Sequence, residues 1–376
     1  MTPDAPTSGL AAPLASSLAS PARARGGRAA SFFEFWPGWM FYTPIVVQWL
    51  GLGLRYGDMT LPTAANPGIV SGGLCGETKT SMLDLVEGPA RASIAPYAAM
   101  TTSPTGAGDL AAAEAAMARG GLGYPLVVKP DIGCNGTGVR LAENAAALDA
   151  YLAAFPRGEG VVLQEFVPLE GEAGIFYIRD PGSETGRISS VTLKFAPHVT
   201  GDGRATLRQL ILADTRFGRI ASMFLPRLTA RLDEVPAAGE AVRLVFVGNH
   251  CKGSIFRDGA AEVTPALAAC FERIARAMPE FHFGRFDIRF GSLAALRRGE
   301  DFRIIEINGV GSEATHVWDP DTSLWEAWRA QFHHYRAAWR IGAANRARGH
   351  RSTGLRALAA LWRRQKRLMA AYPLND

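Results

Sequence analysis

Cysteine is scarce in this sequence, and its spacing excludes two classes of small protein. The four cysteines are scattered and form no CxxC pair; they are Cys75, Cys134, Cys251 and Cys270. A disulfide framework or a structural zinc site requires closely spaced cysteines. We therefore expect reduced thiols and a cytoplasmic protein.

Lysine is also rare, whereas arginine is abundant. The only lysines are Lys79, Lys129, Lys194, Lys252 and Lys366. Either each lysine lies where arginine cannot serve, or the bias reflects a GC-rich genome; the sequence leaves both open. Basic residues exceed acidic ones by only five (40 against 35), so the overall field is mildly positive. No specific nucleic-acid motif is present.

Two common nucleotide-binding signatures are missing. No strand–GxGxxG–helix unit and no GxxxxGK[ST] loop occurs, which excludes a dinucleotide fingerprint and a P-loop. Residues 1–30 are rich in Ala, Ser, Pro and Arg and lack the features of a signal peptide, so a disordered extension is predicted there.

One long apolar run does occur, from Phe32 to Leu54, within an aromatic segment predicted over residues 31–75. Its length suits a membrane span, but Pro37, Pro44 and Gln48 argue against one. A helix packed within the fold is favoured, with an interfacial or partner-facing segment and a true span as alternatives.

The rest of the chain mixes helices with strands in hairpins, which indicates an α+β fold. Strand patterns include "VVK" at 127–129, "GVVLQEF" at 160–166 and "VRLVFVGNH" at 242–250. Thr206 is predicted to cap one helix, and Thr264 with Pro265 to begin another. Basic amphipathic helices are predicted over 324–376, with Trp325, Trp328, Phe332, Tyr335 and Trp339 near one face. This region would dock on the fold or lie on an anionic membrane.

Two strands near the C-terminus carry the strongest chemical signal. In "GRFDIRF", Arg285, Asp287 and Arg289 share a face by alternation, and in "FRIIEIN" Glu306 and Asn308 share one, while Ile305 and Ile307 face away. If the strands are neighbours, Asp287, Glu306 and Asn308 converge as oxygen ligands for Mg²⁺ or Mn²⁺. Two half-exposed strands without a metal would show the same alternation.

A glycine-rich loop supplies a second signal. Lys129 ends an apolar strand, and Gly133, Gly136 and Gly138 follow. Such a loop presents N–H groups to phosphate oxygens, although an ordinary glycine hairpin has the same composition. Downstream, the backbone from Glu165 to Val167, which includes Phe166, suits an adenine edge, and Glu172 suits ribose hydroxyls or a solvated loop.

Four features in order resemble the ATP-grasp superfamily, in particular ligases of the D-alanine–D-alanine ligase and cyanophycin synthetase kind. They are "GETKTSMLDLV", "VVKPDIGCNGTGV", "LQEFVPLEGE", and "GRFDIRF" with "FRIIEING", covering about 76–320. The resemblance implies two α+β lobes with antiparallel sheets sandwiching ATP. We expect an ATP-grasp domain over 76–323, with a glycine-loop lobe at about 120–165 and a metal-site lobe at about 166–323.

The resemblance also implies roles for individual residues. Lys79 and Lys129 would contact ATP phosphates, with Lys194 and Lys252 adding positive charge. Arg285 would contact a phosphate or acyl phosphate, and Asp287, Glu306 and Asn308 would hold Mg²⁺ or Mn²⁺. After Asn308 the sequence departs from the ligase pattern, and Ser312, Glu313, Thr315 and His316 are candidate substrate contacts.

The function implied is an ATP-dependent carboxylate–amine ligase that acts through an acyl phosphate on small-molecule carboxylate and amine substrates. The alternative is a catalytically silent or membrane-associated ATP-binding module with a lipid-linked or polymeric partner. Contact with a membrane surface and homodimerisation are left open.

Overall fold

The computed structural model describes residues 30–246, 248 and 253–375. The predicted extension at 1–30 lies almost entirely outside this range. The helices are α1 (Gly38–Tyr56), α2 (Lys79–Asp84), α3 (Asp109–Gly120), α4 (Ala145–Ala154), α5 (Leu207–Ala213), α6 (Ala221–Phe224), α7 (Pro265–Arg276), α8 (Leu293–Arg297), α9 (Leu324–Ala347) and α10 (Leu355–Ala371). The strands are β1 (Tyr97–Thr101), β2 (Leu126–Pro130), β3 (Arg140–Ala142), β4 (Gly160–Glu165), β5 (Gly171–Ile178), β6 (Arg187–Phe195), β7 (His198–Thr200), β8 (Ala241–Arg243), β9 (Ile255–Asp258), β10 (Phe283–Phe290) and β11 (Phe302–Asn308).

The first sheet is four-stranded and antiparallel, in the order β1-β4-β2-β3. Apolar residues alternate along its central strands, so Leu126, Val128, Val161 and Leu163 turn to one face and are fully buried there. Helices α3 and α4 cover that face. The opposite face carries Lys129 and Gln164.

The second sheet is five-stranded, in the order β11-β10-β5-β6-β9, and every pairing in it is antiparallel. Helix α7 begins at Thr264 and Pro265 as predicted, because the Thr264 side chain caps the Leu267 N–H. Its apolar face, which includes Phe271, packs on Phe286 and Ile304 of the sheet. Two antiparallel sheets with packed helices confirm the predicted α+β class.

A smaller layer lies between β6 and β9. Strands β7 and β8 pair there, and α5 begins at the predicted cap, where Thr206 and Gln209 form a reciprocal capping box. The strand predicted over 242–250 is wrong in length, since β8 ends at Arg243. The side chain of Arg243 instead donates to the carbonyl oxygens of Val245 and Phe246 just beyond it.

The apolar run from Phe32 to Leu54 forms a packed helix, as favoured. Gln48 Nε2 donates to the Phe332 carbonyl oxygen at 3.1 Å, and Trp328 Nε1 donates to that of Phe41 at 3.0 Å, so α1 lies along α9. Within the described residues, none of the helices combines the length and apolarity that a bilayer crossing needs. Trp325 departs from the predicted aromatic face and is 71% exposed, because it lies in the first turn of α9.

The C-terminal helix α10 packs on the lobe that carries the glycine loop. Tyr372 stacks on Phe155, with ring centroids 5.2 Å apart, and its hydroxyl donates to the Ile132 carbonyl oxygen at 2.7 Å. Gln365 accepts from the Gly76 N–H at 2.7 Å. The helix therefore links the entry to α2 with the loop after β2. The domain boundaries themselves stay predictions.

Candidate active site

A cavity of about 570 Å³ lies between the two sheets. Most of the predicted site residues line it, namely Lys79, Lys129, Gly133, Gly136, Glu165, Phe166, Val167, Glu172, Lys194, Arg285, Asp287, Glu306, Asn308, Ser312, Glu313 and Thr315. They come from both sheets and from the loops between them. Residues spread over more than 230 positions of sequence thus converge on one cavity.

Strands β10 and β11 are neighbours, as the metal prediction requires. Asp287 pairs directly with Glu306, and Arg285 with Asn308. The register shifts between Asp287 and Ile288, where β11 contains one extra residue, Ile305. The bulge explains an error in the prediction, since it places Ile305 on the cavity wall while Ile307 faces the core.

The Asp287 carboxylate is buried and receives three side-chain donors. Lys194 Nζ lies 2.7 Å from Oδ1, Arg285 Nη2 lies 3.0 Å from Oδ2, and Asn308 Nδ2 donates to Oδ2 at 2.9 Å. Burial alone would raise the pKa of Asp287, but the charges of Arg285 and Lys194 outweigh it and hold the pKa at about 2. Asp287 is therefore ionised at neutral pH.

Lys194 also reaches the Glu172 carboxylate, at 3.2 Å, and Arg289 Nη2 lies 3.4 Å from the same carboxylate. Burial acts to lower the pKa of Lys194, yet Asp287 and Glu172 outweigh it and raise that pKa. Glu172 lies between two cations, so it is an ordered, charged wall of the cavity.

Lys129 projects from the four-stranded sheet toward the other sheet. Its ammonium group donates to Gln164 Oε1 at 2.8 Å and to the Ile305 carbonyl oxygen at 2.9 Å. Burial lowers the pKa of Lys129 to about 8, with the charge of Glu306 opposing the shift. This ammonium group has no carboxylate bonded to it within the described residues, which suits it to an incoming anion.

The glycine loop is shaped by residues that adopt left-handed backbone conformations. Asn135 has φ 57° and Gly136 φ 66°, so successive N–H groups change direction within the turn. Lys79 Nζ donates to the Gly133 carbonyl oxygen at 2.8 Å and lies 3.4 Å from Glu306. Lys79 therefore joins the loop to the carboxylate of β11.

The segment after β4 agrees with the predicted adenine edge. Glu165 uses its N–H to donate to the Pro96 carbonyl oxygen at 2.8 Å, whereas Phe166 and Val167 donate no main-chain hydrogen bond to any described residue. Both line the cavity beside Phe246 and Phe256. The cavity thus has an apolar end with unused main-chain donors.

The loop after β11 is held by the segment that precedes α2. The Val310 and Gly311 N–H groups donate to the Gly72 and Gly73 carbonyl oxygens at 3.1 and 2.7 Å. A Cβ on Gly309 would lie 2.4 Å from the Gly72 carbonyl oxygen, so only glycine fits this contact.

Three predicted residues are not brought to the cavity. Gly138 packs against Pro130 and Tyr372, where a Cβ would clash, and its carbonyl oxygen accepts from Tyr151 at 2.8 Å. His316 lies behind the cavity wall, and burial lowers its pKa. Lys252 lies outside the described residues.

Several cavity residues were missed from sequence, namely Tyr42, Glu77, Gln164, Arg289, Trp318, Tyr335 and Gln365. Arg289 shares a strand face with Asp287, so alternation alone could have assigned it. Glu77 lies two residues before Lys79, and burial raises its pKa. Tyr42, Tyr335 and Gln365 come from helices whose docking no local pattern reveals.

The cavity offers a donor set that fits a hard cation. Within the described residues, no three His, Cys, Asp or Glu side chains come together as a ready-made metal site. Asp287 and Glu306 are direct partners across neighbouring strands, and Asn308 supplies an amide oxygen one pair further on. These are oxygen ligands of the type Mg²⁺ prefers, with space left for phosphate oxygens.

Comparison with known proteins confirms the predicted resemblance to ligases of the ATP-grasp type. The chain is 28% identical over 181 residues to the glutathione biosynthesis bifunctional protein GshAB of Streptococcus thermophilus, which covers 41% of this chain and 22% of that protein. It is also 28% identical over 174 residues to GshAB of Streptococcus mutans, with the same coverage. The chain thus spans about a fifth of these relatives' length. No family model matches it.

Solved structures with some likeness to the chain include two synthesising enzymes. The bifunctional glutathione synthetase from Pasteurella multocida is 17% identical, with 68% of this chain and 36% of that chain covered and a TM-score of 0.35. The VanG D-Ala:D-Ser ligase from Enterococcus faecalis is 14% identical, with 71% and 64% covered and a TM-score of 0.40.

Proposed function

We propose that the protein is an ATP-dependent carboxylate–amine ligase that acts through an acyl phosphate and releases ADP and phosphate. One observation carries the proposal: Lys129, Lys194 and Arg285 converge with Asp287 and Glu306 in one cavity beneath a glycine-rich loop. Cations beside a carboxylate pair are what phosphoryl transfer from ATP to a carboxylate requires.

ATP would lie with its adenine at the apolar end and its phosphates toward the lysines. The Phe166 and Val167 main chain would meet the adenine edge, and Glu172 the ribose. Lys129 and Lys79 would then contact phosphate oxygens, since both reach the space below the glycine loop.

Asp287, Glu306 and Asn308 would hold Mg²⁺ or Mn²⁺. When bound, the metal would neutralise charge on the phosphates and orient them. Arg285 and Lys194 already hold Asp287 in its ionised form, so the chain keeps this ligand charged without a metal.

The reaction has two steps. A substrate carboxylate oxygen attacks the terminal phosphorus of ATP, the bond to ADP breaks, and Arg285 and Lys194 stabilise charge on the transferred phosphoryl group. A substrate amine then attacks the acyl carbon, the bond to the phosphate oxygen breaks, and the amine loses one proton as phosphate leaves. An amide results.

The acyl phosphate must be kept from water until the amine arrives. The loop around Gly133 and Gly136 covers one side of the cavity, and Tyr372 packs behind it. Holding this loop over the reacting atoms would limit hydrolysis of the intermediate.

The test is ADP release from Mg-ATP with a panel of carboxylic acids, with hydroxylamine present to trap an acyl phosphate. We expect acid-dependent ADP release and a hydroxamate product. Glu306→Gln should abolish both, and Glu184→Gln, an exposed carboxylate on the loop before β6, should leave them unchanged. Failure to bind ATP, or full turnover by Glu306→Gln, would disprove the proposal.

A further inference from the structure

Glu313 places a carboxylate at the cavity wall beyond Arg285. Its Oε1 accepts a hydrogen bond from the Tyr42 hydroxyl at 2.6 Å, and its Oε2 accepts one from Trp318 Nε1 at 3.4 Å. Both donors are neutral side chains, one from α1 and one from the short 3₁₀ turn at Thr315–Trp318. The carboxylate is thus fixed in orientation by groups that leave its charge uncompensated.

No cation of the described residues pairs with this carboxylate. Arg285 is adjacent, but its Nη1 donates to the Glu313 main-chain carbonyl oxygen at 3.1 Å, while its guanidinium pairs with Asp287. Lys79 and Lys194 each lie against another carboxylate. A half-buried carboxylate without a cation costs free energy unless a charge from outside compensates it.

The surroundings of Glu313 specify the kind of cation. Tyr42, Trp318 and Tyr335 line the same part of the cavity, so aromatic rings surround the carboxylate. Aromatic faces attract organic ammonium groups, and a carboxylate among them adds a charged hydrogen-bond acceptor. A strongly hydrated inorganic cation would need more oxygen ligands than this pocket contains.

We infer that one substrate of this enzyme carries a protonated amino group, which binds between Glu313 and the rings of Tyr42, Trp318 and Tyr335. The inference rests on the proposed function, because it assigns the substrate end of the same cavity. Glu313 is a specificity residue here: it holds the ammonium group, and the bonds made and broken lie on the other side of Arg285.

The test compares binding of n-butylammonium with that of its neutral isostere n-butanol by saturation-transfer NMR. In the native protein we expect n-butylammonium to bind at least about tenfold more tightly, as a charge-assisted hydrogen bond would provide. Glu313→Gln keeps an oxygen for Tyr42 and Trp318 but removes the charge, so this preference should disappear. Tyr42→Phe keeps the charge and should retain most of it.

Mg-ATP binding, measured by calorimetry on the same variants, separates the two claims. Unchanged ATP binding with loss of ammonium preference in Glu313→Gln supports the inference. An ammonium preference that survives in Glu313→Gln, or that is missing from the native protein, overturns it and leaves the ligase proposal intact. Absence of ATP binding in the native protein would instead overturn the proposed function.

Discussion

The Lys129 ammonium group and the Ile305 carbonyl oxygen lie 2.9 Å apart and join the two sheets across the cavity. The contact depends on the bulge in β11, because an extra residue frees a carbonyl group from the regular ladder and directs it at the other sheet. The same lysine is the one whose pKa burial lowers most plainly. Several consequences of this pairing can be measured.

Binding of Mg-ATP near pH 8.5 should take up a proton at Lys129. The pKa of Lys129 is about 8 in the free protein, so much of the side chain is neutral at that pH, and phosphate oxygens would favour its charged form. Calorimetry in buffers of different ionisation enthalpy would measure the uptake. Lys129→Arg stays charged and should show none; equal uptake in both proteins would contradict the assignment.

The lowered pKa of Lys129 also predicts how stability changes with pH. The unfolded chain binds this proton up to the ordinary lysine pKa of 10.5, whereas the folded protein releases it at a pKa of about 8. Between these values the unfolded state holds more protons, so stability rises with pH, by about 3 kcal/mol at most. Urea unfolding of native protein and Lys129→Met at pH 7.5 and 10 should show this gain only in the native protein.

Asp287→Asn and Glu306→Gln should both reduce ligase activity at least about a hundredfold, because each removes a proposed metal ligand. Their effects on stability should differ. Asp287 compensates the buried charges of Lys194 and Arg285, so its loss should cost about 3–5 kcal/mol.

Glu306 has only a 3.4 Å contact with Lys79 and is partly exposed, so its substitution should cost less than about 1 kcal/mol. Urea unfolding measures both variants. Equal destabilisation would show that the Asp287 network contributes little to the fold.

Tyr372→Ala should destabilise the glycine-loop lobe by about 3–5 kcal/mol, since it removes a buried ring stacked on Phe155 and a hydrogen bond to Ile132. Tyr372→Phe keeps the ring and should cost about 1 kcal/mol. Leu374→Ala alters a side chain that is 66% exposed and serves as the control. Thermal unfolding measures all three, and a Tyr372→Ala value near that of the control would show that the tail adds little.

Gly309→Ala should impair both folding and activity, because the added methyl group meets the Gly72 carbonyl oxygen at 2.4 Å. Gly51→Ala is the matched control: a Cβ there meets nothing within 4 Å, and the residue lies in α1, so about 0.5–1 kcal/mol of stabilisation is expected. Circular dichroism and ADP release measure the pair. Normal activity in Gly309→Ala would mean that the loop after β11 tolerates displacement.

The sequence predicted those parts of the site that depend on alternation within a strand. Arg285, Asp287, Glu306 and Asn308 share a face because successive strand residues point to opposite sides, and the neighbouring strands were adjacent as inferred. Helix starts at Thr206 and Thr264 were equally predictable, since a cap is a local hydrogen bond.

Features that depend on tertiary docking were not predictable in this way. The bulge at Ile305 is set by pairing with β10, and Tyr42 enters the cavity only because α1 packs on α9. The short length of β8 likewise depends on the Arg243 side chain, which bonds the carbonyl groups that follow. Such choices follow from contacts between segments far apart in the chain.

Tyr42 belongs to α1, while the phosphate-directed residues belong to the two sheets. Replacing one helix would therefore change which molecules the enzyme accepts and leave the phosphoryl-transfer apparatus untouched. A family of such proteins would diversify in substrate choice through exchange of the segment before the first sheet, with the energy-coupling half kept as a common part.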